Sequence, residues 1–125
     1  MSVDLNFNDF IGDPKSLLDW LATCKAQRGL GYWLLFRDAD GTTDPSGDTE
    51  MFPVTGNTGD LTDDEFEWFD SAIQDNGYSN FLNLDQLEDV IDNLGMQKPD
   101  YTDADLVHAV LFYFSRDAFV VIPSA

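Results

Sequence analysis

The chain has 125 residues and carries 24 Asp+Glu against 6 Lys+Arg, a formal net charge of −18. That charge repels a phosphate backbone and leaves no Lys/Arg cluster to release counterions, which argues against direct nucleic-acid binding and against docking on an anionic membrane. Disorder is disfavoured too, because acidic disordered chains lack the apolar and aromatic content seen here, 43% and 14%; the length suits one domain, residues 1–125, with a core of its own.

In chain order, Asp13-Pro14 is a capping residue followed by proline at a first helical position, and it opens a predicted helix. Leu17, Trp20, Leu21 and Cys24 share one face of that helix, and Gly29 or Gly31 ends it. Tyr32–Phe36 reads as a buried strand, followed by turn chemistry at Asp38-Ala39-Asp40-Gly41. A strand around Thr49–Val54 pairs back antiparallel, with Pro53 pushing it toward a sheet edge. Thr55–Gly59 is a loop. Thr62-Asp63-Asp64-Glu65 is a capping box that starts a helix running to about Asn76, stopped by Gly77, with Phe66, Phe69 and Ile73 as its apolar stripe.

Tyr78–Leu82 is a candidate short strand. Asn83 caps a helix with Leu84, Leu87, Val90, Ile91 and Leu94 on one face, closed by Gly95. Thr102 caps a last helix through about Ser115. Its apolar residues nearly encircle it, the pattern of a buried helix. Ala118–Ile122 reads as a final strand. The expected fold is one compact α+β domain, about four helices around a small, mostly antiparallel sheet.

One cysteine, Cys24, precludes an intramolecular disulfide and suits a reducing compartment. The first residues lack a basic region followed by an apolar run, and Ala118–Pro123 is far too short to span a bilayer. A bacterial cytoplasmic protein is expected.

The sequence holds no Walker lysine loop and no dinucleotide-binding glycine fingerprint. The lone histidine, His108, cannot build a multi-histidine zinc site. Cys24 and His108 could form a nucleophile–base dyad only if the fold brought them together, and Cys24 lies on an apolar helix face. With 24 acids, any single carboxylate pair is uninformative for glycosidase chemistry. Placing Gly41 sixth in an EF-hand loop puts Phe36 first and Gly47 twelfth, and neither ligates calcium. No catalytic residue, metal or cofactor is expected, and the protein reads as a non-enzyme.

The informative feature is how the charge is distributed. Between Arg37 and Lys98 lie sixty residues with sixteen acids and no Lys or Arg. A solvated surface ordinarily mixes both signs, because a single-sign field costs self-repulsion. The predicted helices expose Asp63, Asp64, Glu67 and Asp75 on one and Asp85, Glu88, Asp89 and Asp92 on the other, a surface fitted to steer a basic partner. Trp68 lies off its helix's apolar stripe among acids; it either anchors a partner or packs under the Thr55–Gly59 loop or another element. Tyr78, just past that helix, is a second candidate anchor.

Phe81–Leu94, followed by Gln97-Lys98-Pro99, Asp105-Leu106-Val107 and Asp117-Ala118-Phe119, resembles a group of small acidic bacterial proteins. Some of that group are similar to immunity proteins of contact-dependent growth inhibition and related polymorphic-toxin systems. The resemblance implies a protein–protein interaction with a cytoplasmic toxin and supplies no site residues. The expected function is therefore a toxin inhibitor that occludes the active or substrate-binding site of a cognate basic toxin domain, a nuclease above all. The alternative is a phage-type nucleic-acid mimic acting on a restriction or CRISPR effector.

Overall fold

A computed structural model describes residues 6–38, 43–55 and 61–122. Its elements are a short 3-10 helix at Phe7–Phe10, β1 (Lys15–Ser16), α1 (Leu17–Ala26), β2 (Trp33–Arg37), β3 (Glu50–Val54), α2 (Asp63–Asp75), β4 (Tyr78–Asn83), α3 (Leu84–Gln97) and α4 (Asp103–Arg116). The four strands form one antiparallel sheet in the order β1-β3-β2-β4, giving the expected α+β class. No helix among the described residues is long and apolar enough to cross a membrane.

The sheet is covered on both faces because side chains alternate along a strand. Leu34 and Phe36 of β2 point into a larger core with Leu17, Trp20 and Leu21 of α1, Leu84, Leu87 and Leu94 of α3, and Leu106 and Val110 of α4. Leu35 points the opposite way, into a smaller core with Phe52, Val54, Phe7 and Phe69, Ala72 and Ile73 of α2. The molecule is thus a sheet between a three-helix layer and a thinner layer made of α2 and the 3-10 helix.

Three helices start where their caps predict. Thr62, Asn83 and Thr102 each accept a bond from the third helical amide, and Glu65, Gln86 and Asp105 each accept one from the cap's own amide. Four expectations need correction. The first helix does not open at Asp13-Pro14: Lys15 and Ser16 pair with Met51 and Glu50, so the chain stays extended and Ser16 is the cap. It also ends at Ala26, before either glycine, and Gly29 and Gly31 turn the following segment with φ of +84° and +68°. The strand containing Pro53 is not at the edge. Beside it runs the Ile11–Val54 bridge, in which Gly12 donates to the Pro53 carbonyl and Thr55 to the Phe10 carbonyl, so Pro53 turns its nitrogen away from β2 and the β2–β3 ladder loses no bond. Gly95 does not close α3, which continues to Gln97 and stops before Pro99.

The fourth correction concerns the end of the fold. Residues 118–122 form no strand. They lie extended against α3, where the Gln97 amide donates to the Val120 carbonyl at 2.8 Å and accepts from the Ile122 amide at 2.8 Å. A side chain does the pairing that a strand would do. Nor is α4 the wholly buried helix its composition suggests. Leu106, Ala109 and Val110 are buried, but Val107 and Leu111–Phe114 are only half-buried. The Asp38–Gly41 turn and the Thr55–Gly59 loop lie largely outside the described residues. Asp38 itself accepts bonds from the Thr43 amide and the Ser79 hydroxyl, both at 2.9 Å.

Candidate functional site

The acids singled out in the sequence fall into two groups. Asp63, Asp64, Glu67 and Asp75 are exposed along the outside of α2, on the thin-layer side of the sheet. Asp85, Glu88, Asp89 and Asp92 lie along α3, in the three-helix layer. The sheet stands between the two groups, so they do not form one continuous face. Two of the α3 acids also have work inside the molecule. Asp92 grips the Arg28 guanidinium through two bonds of 2.8 and 3.0 Å, and Glu88 accepts from the Gly29 amide at 3.3 Å. These contacts fasten the α1–β2 connection to α3. The hydrogen bond from Arg28 holds the Asp92 carboxyl below its ordinary range. Asp85 and Asp89 face solvent.

The candidate anchors divide as well. Tyr78 is not at the surface: it is buried in the smaller core, with its ring 5.1 Å from Phe52 and 5.8 Å from Phe7. Because Tyr78 begins β4, alternation carries it inward rather than outward from the end of α2. Trp68 is half-buried against the same core, 6.3 Å from the Phe69 ring. Phe66, expected inside, is 44% exposed. The buried stripe of α2 is Phe69, Ala72 and Ile73, and Phe66 and Trp68 occupy its two shoulders. Helical spacing alone does not say which shoulder the thin layer covers.

Cys24 and His108 make no dyad. Cys24 is buried within the three-helix layer, His108 is exposed on α4, and no hydrogen bond joins them. Burial, reinforced by the nearby Glu88 charge, pushes the Cys24 thiol up to about 11, so it is protonated and unreactive near neutral pH. Among the described residues no three His, Cys, Asp or Glu side chains gather closely enough to hold a metal ion.

The sequence did not disclose a concavity beside α4. Along the outer side of α4 runs an open groove of about 460 Å³ between α4, Leu18 of α1 and the turn at Gly47-Asp48. A second hollow of about 270 Å³ continues it from Leu111 to Pro45 and Phe114. The signal for it was the surplus of apolar residues on α4, which the sequence reading assigned to burial.

An all-antiparallel sheet with helices on both faces defines an α+β domain, here with exposed acids along α2 and α3 and an apolar groove beside α4. The chain belongs to the family described as Domain of unknown function (DUF7716), which matches residues 16–122. No curated protein and no solved structure matches it.

Proposed function

We propose that the chain is an immunity protein, a binding protein without chemistry of its own that neutralises one basic toxin domain in the cytoplasm by covering its active or substrate-binding site. A nuclease is the fitting class of toxin, because a surface built to hold phosphate is already basic. The observation that carries this reading is the sixty-residue span with sixteen acids and no base. Its helical acids are displayed on both sides of the sheet, so the field surrounds the molecule. Such a field raises the encounter rate with a basic partner toward ~10⁸–10⁹ M⁻¹s⁻¹ at low salt. It does not fix the docking geometry, for which apolar contact is needed.

The resemblance of residues 81–119 to small acidic immunity proteins supports the same reading. A nucleic-acid mimic is less well served. A mimic must string carboxylates along one continuous surface, at roughly one charge per 1.7 Å of duplex axis. Here the two acidic helices face opposite ways, and Glu88 and Asp92 hold the α1–β2 connection.

The test titrates the purified chain into nuclease domains taken from several polymorphic toxins, reading residual nuclease activity and the growth of co-expressing cells. Inhibition of a single domain at nanomolar concentration, with unrelated nucleases untouched, is expected. Inhibition of none overturns the proposal. Equal inhibition of unrelated nucleic-acid enzymes overturns it in favour of the mimic.

A further inference from the structure

We infer that the groove along α4 is the docking site for a basic amphipathic segment of the protein partner, with that segment's apolar side chains on the groove floor and its Lys or Arg side chains against the rim. This inference rests on the reading of the chain as a binder of a basic protein and adds where that partner is held.

The floor is apolar. Leu18, Val107 and Leu111 form it, and Phe114 extends it through the adjoining hollow. The rim is acidic. Asp44, Asp48 and Asp103 border the two hollows, and among the described residues no Lys or Arg lines either of them. Lys25 holds its ammonium 3.9 Å from Asp103, a loose contact that leaves the Asp103 side chain 80% exposed. An apolar floor bordered by three aspartates complements a segment with apolar side chains between cationic edges. A purely apolar ligand would leave the rim unanswered, and a purely cationic one would leave the floor wet.

The groove is also preformed. Its loop wall is tied to α1 by hydrogen bonds from the Leu17 amide to the Thr49 carbonyl and from the Leu18 amide to the Gly47 carbonyl, both 3.0 Å. The wall closes on itself through the Ser46 amide and the Thr49 hydroxyl at 2.7 Å. Gly47 presses so closely on the floor that an added Cβ would lie 3.3 Å from both Leu18 and Val107. A rigid wall lowers the ordering cost of binding. The composition of α4 points the same way, since Val107 and Leu111 pack against the core yet stay half-buried and offer their remaining apolar surface to the groove.

The probe is a synthetic Leu/Lys peptide with leucines at helical i, i+3, i+4, i+7 spacing. Its control keeps every lysine and replaces leucine by glutamine. Binding is followed by amide chemical shifts of the labelled full chain. Shifts centred on residues 44–48 and 103–115 are expected, with the leucine peptide at least about tenfold tighter than its control. The surface variant Ala104→Lys/His108→Lys alters two exposed rim positions and should weaken the leucine peptide by about tenfold. Asp9→Asn/Asp70→Asn makes the same change in net charge on the opposite layer and should leave binding within about twofold. Shifts centred on α2 or α3, equal binding of the two peptides, or equal losses in the two variants each overturn the inference. So does a concentration-dependent dimer that Ala104→Lys/His108→Lys dissolves, because the groove's occupant is then a second copy. Toxin neutralisation separates the two proposals. If no toxin is inhibited while the groove still takes the peptide, the function fails and the groove stands; if a toxin is inhibited equally by the rim variant, the groove fails and the function stands.

Discussion

Cys24 shows how a single residue can be legible in position and still hold a measurable consequence. Its place on the apolar face of α1 follows from spacing, and it is 1% exposed. The thiol is pushed up from 9.0 to about 11, first by burial and then by Glu88. Unfolded chains therefore ionise this thiol before folded ones do. The stabilisation is complete below pH 9.0 and is lost as pH climbs to about 11, a loss of about 2–3 kcal/mol at about 1.4 kcal/mol per unit. Urea melts of the native chain and of Cys24→Ala should diverge in slope over that window and run parallel below it. A parallel course throughout would remove burial as the cause. Aromatic positions were harder to read than the cysteine. Helical spacing sets Phe66 nearer the buried stripe than Trp68, yet Phe66 is exposed and Trp68 half-buried, because the thin layer covers only the Trp68 side. Tyr78 is inward because a strand begins there, and the sequence marked that strand only weakly.

At the scale of elements, local chemistry made the helices legible. Thr62, Asn83 and Thr102 write their own starting points through capping boxes that need no distant partner. The features that escaped are those fixed by contacts far away in sequence. Lys15–Ser16 is a strand because residues 50 and 51 pair with it, and residues 118–122 are not one because Gln97 takes their hydrogen bonds. The cap of α4 carries its own pH dependence. The Asp105 carboxylate accepts the Thr102 amide at 3.0 Å and meets the Lys98 ammonium at 2.9 Å. The backbone bond from Thr102, then Lys98, lowers its pKa from 3.8. A lowered folded value means the contribution is present above 3.8 and disappears as pH falls through the folded value. Amides 103–106 should therefore exchange faster in strong acid than those at the start of α3, whose cap uses Gln86 and does not titrate. Asp105→Asn should abolish the difference. Identical acid profiles for the two helix starts would refute the assignment.

For the whole molecule, the charge and the fold pull in opposite directions. Eighteen net negative charges favour expansion, while the described ion pairs number three and are solvent-exposed, so they return little. Self-repulsion should then dominate the salt response. Raising NaCl from 0.01 to 0.15 M shortens the screening length from about 30 to about 8 Å, and the melting temperature followed by circular dichroism should rise. A fall would mean that the few ion pairs outweigh the repulsion. The charge itself, and its concentration in one span, could be read directly from the sequence. That α2 and α3 present their acids on opposite layers could not, because it depends on which sheet face each helix covers. The groove depended on the same placement, α4 against α1 and the Gly47 turn.

The middle place of β2 in the sheet also sets a timetable. Its first neighbour, β3, begins at Glu50, but its second, β4, begins only at Tyr78, and the larger core draws on residues beyond that point. A nascent chain that has emerged only through α2 has one edge of its central strand unpaired, the α3 and α4 side of the larger core missing and most of its acidic residues already made. Completion waits for the last third of translation, and until then mutual repulsion among those acids helps keep unfinished copies apart.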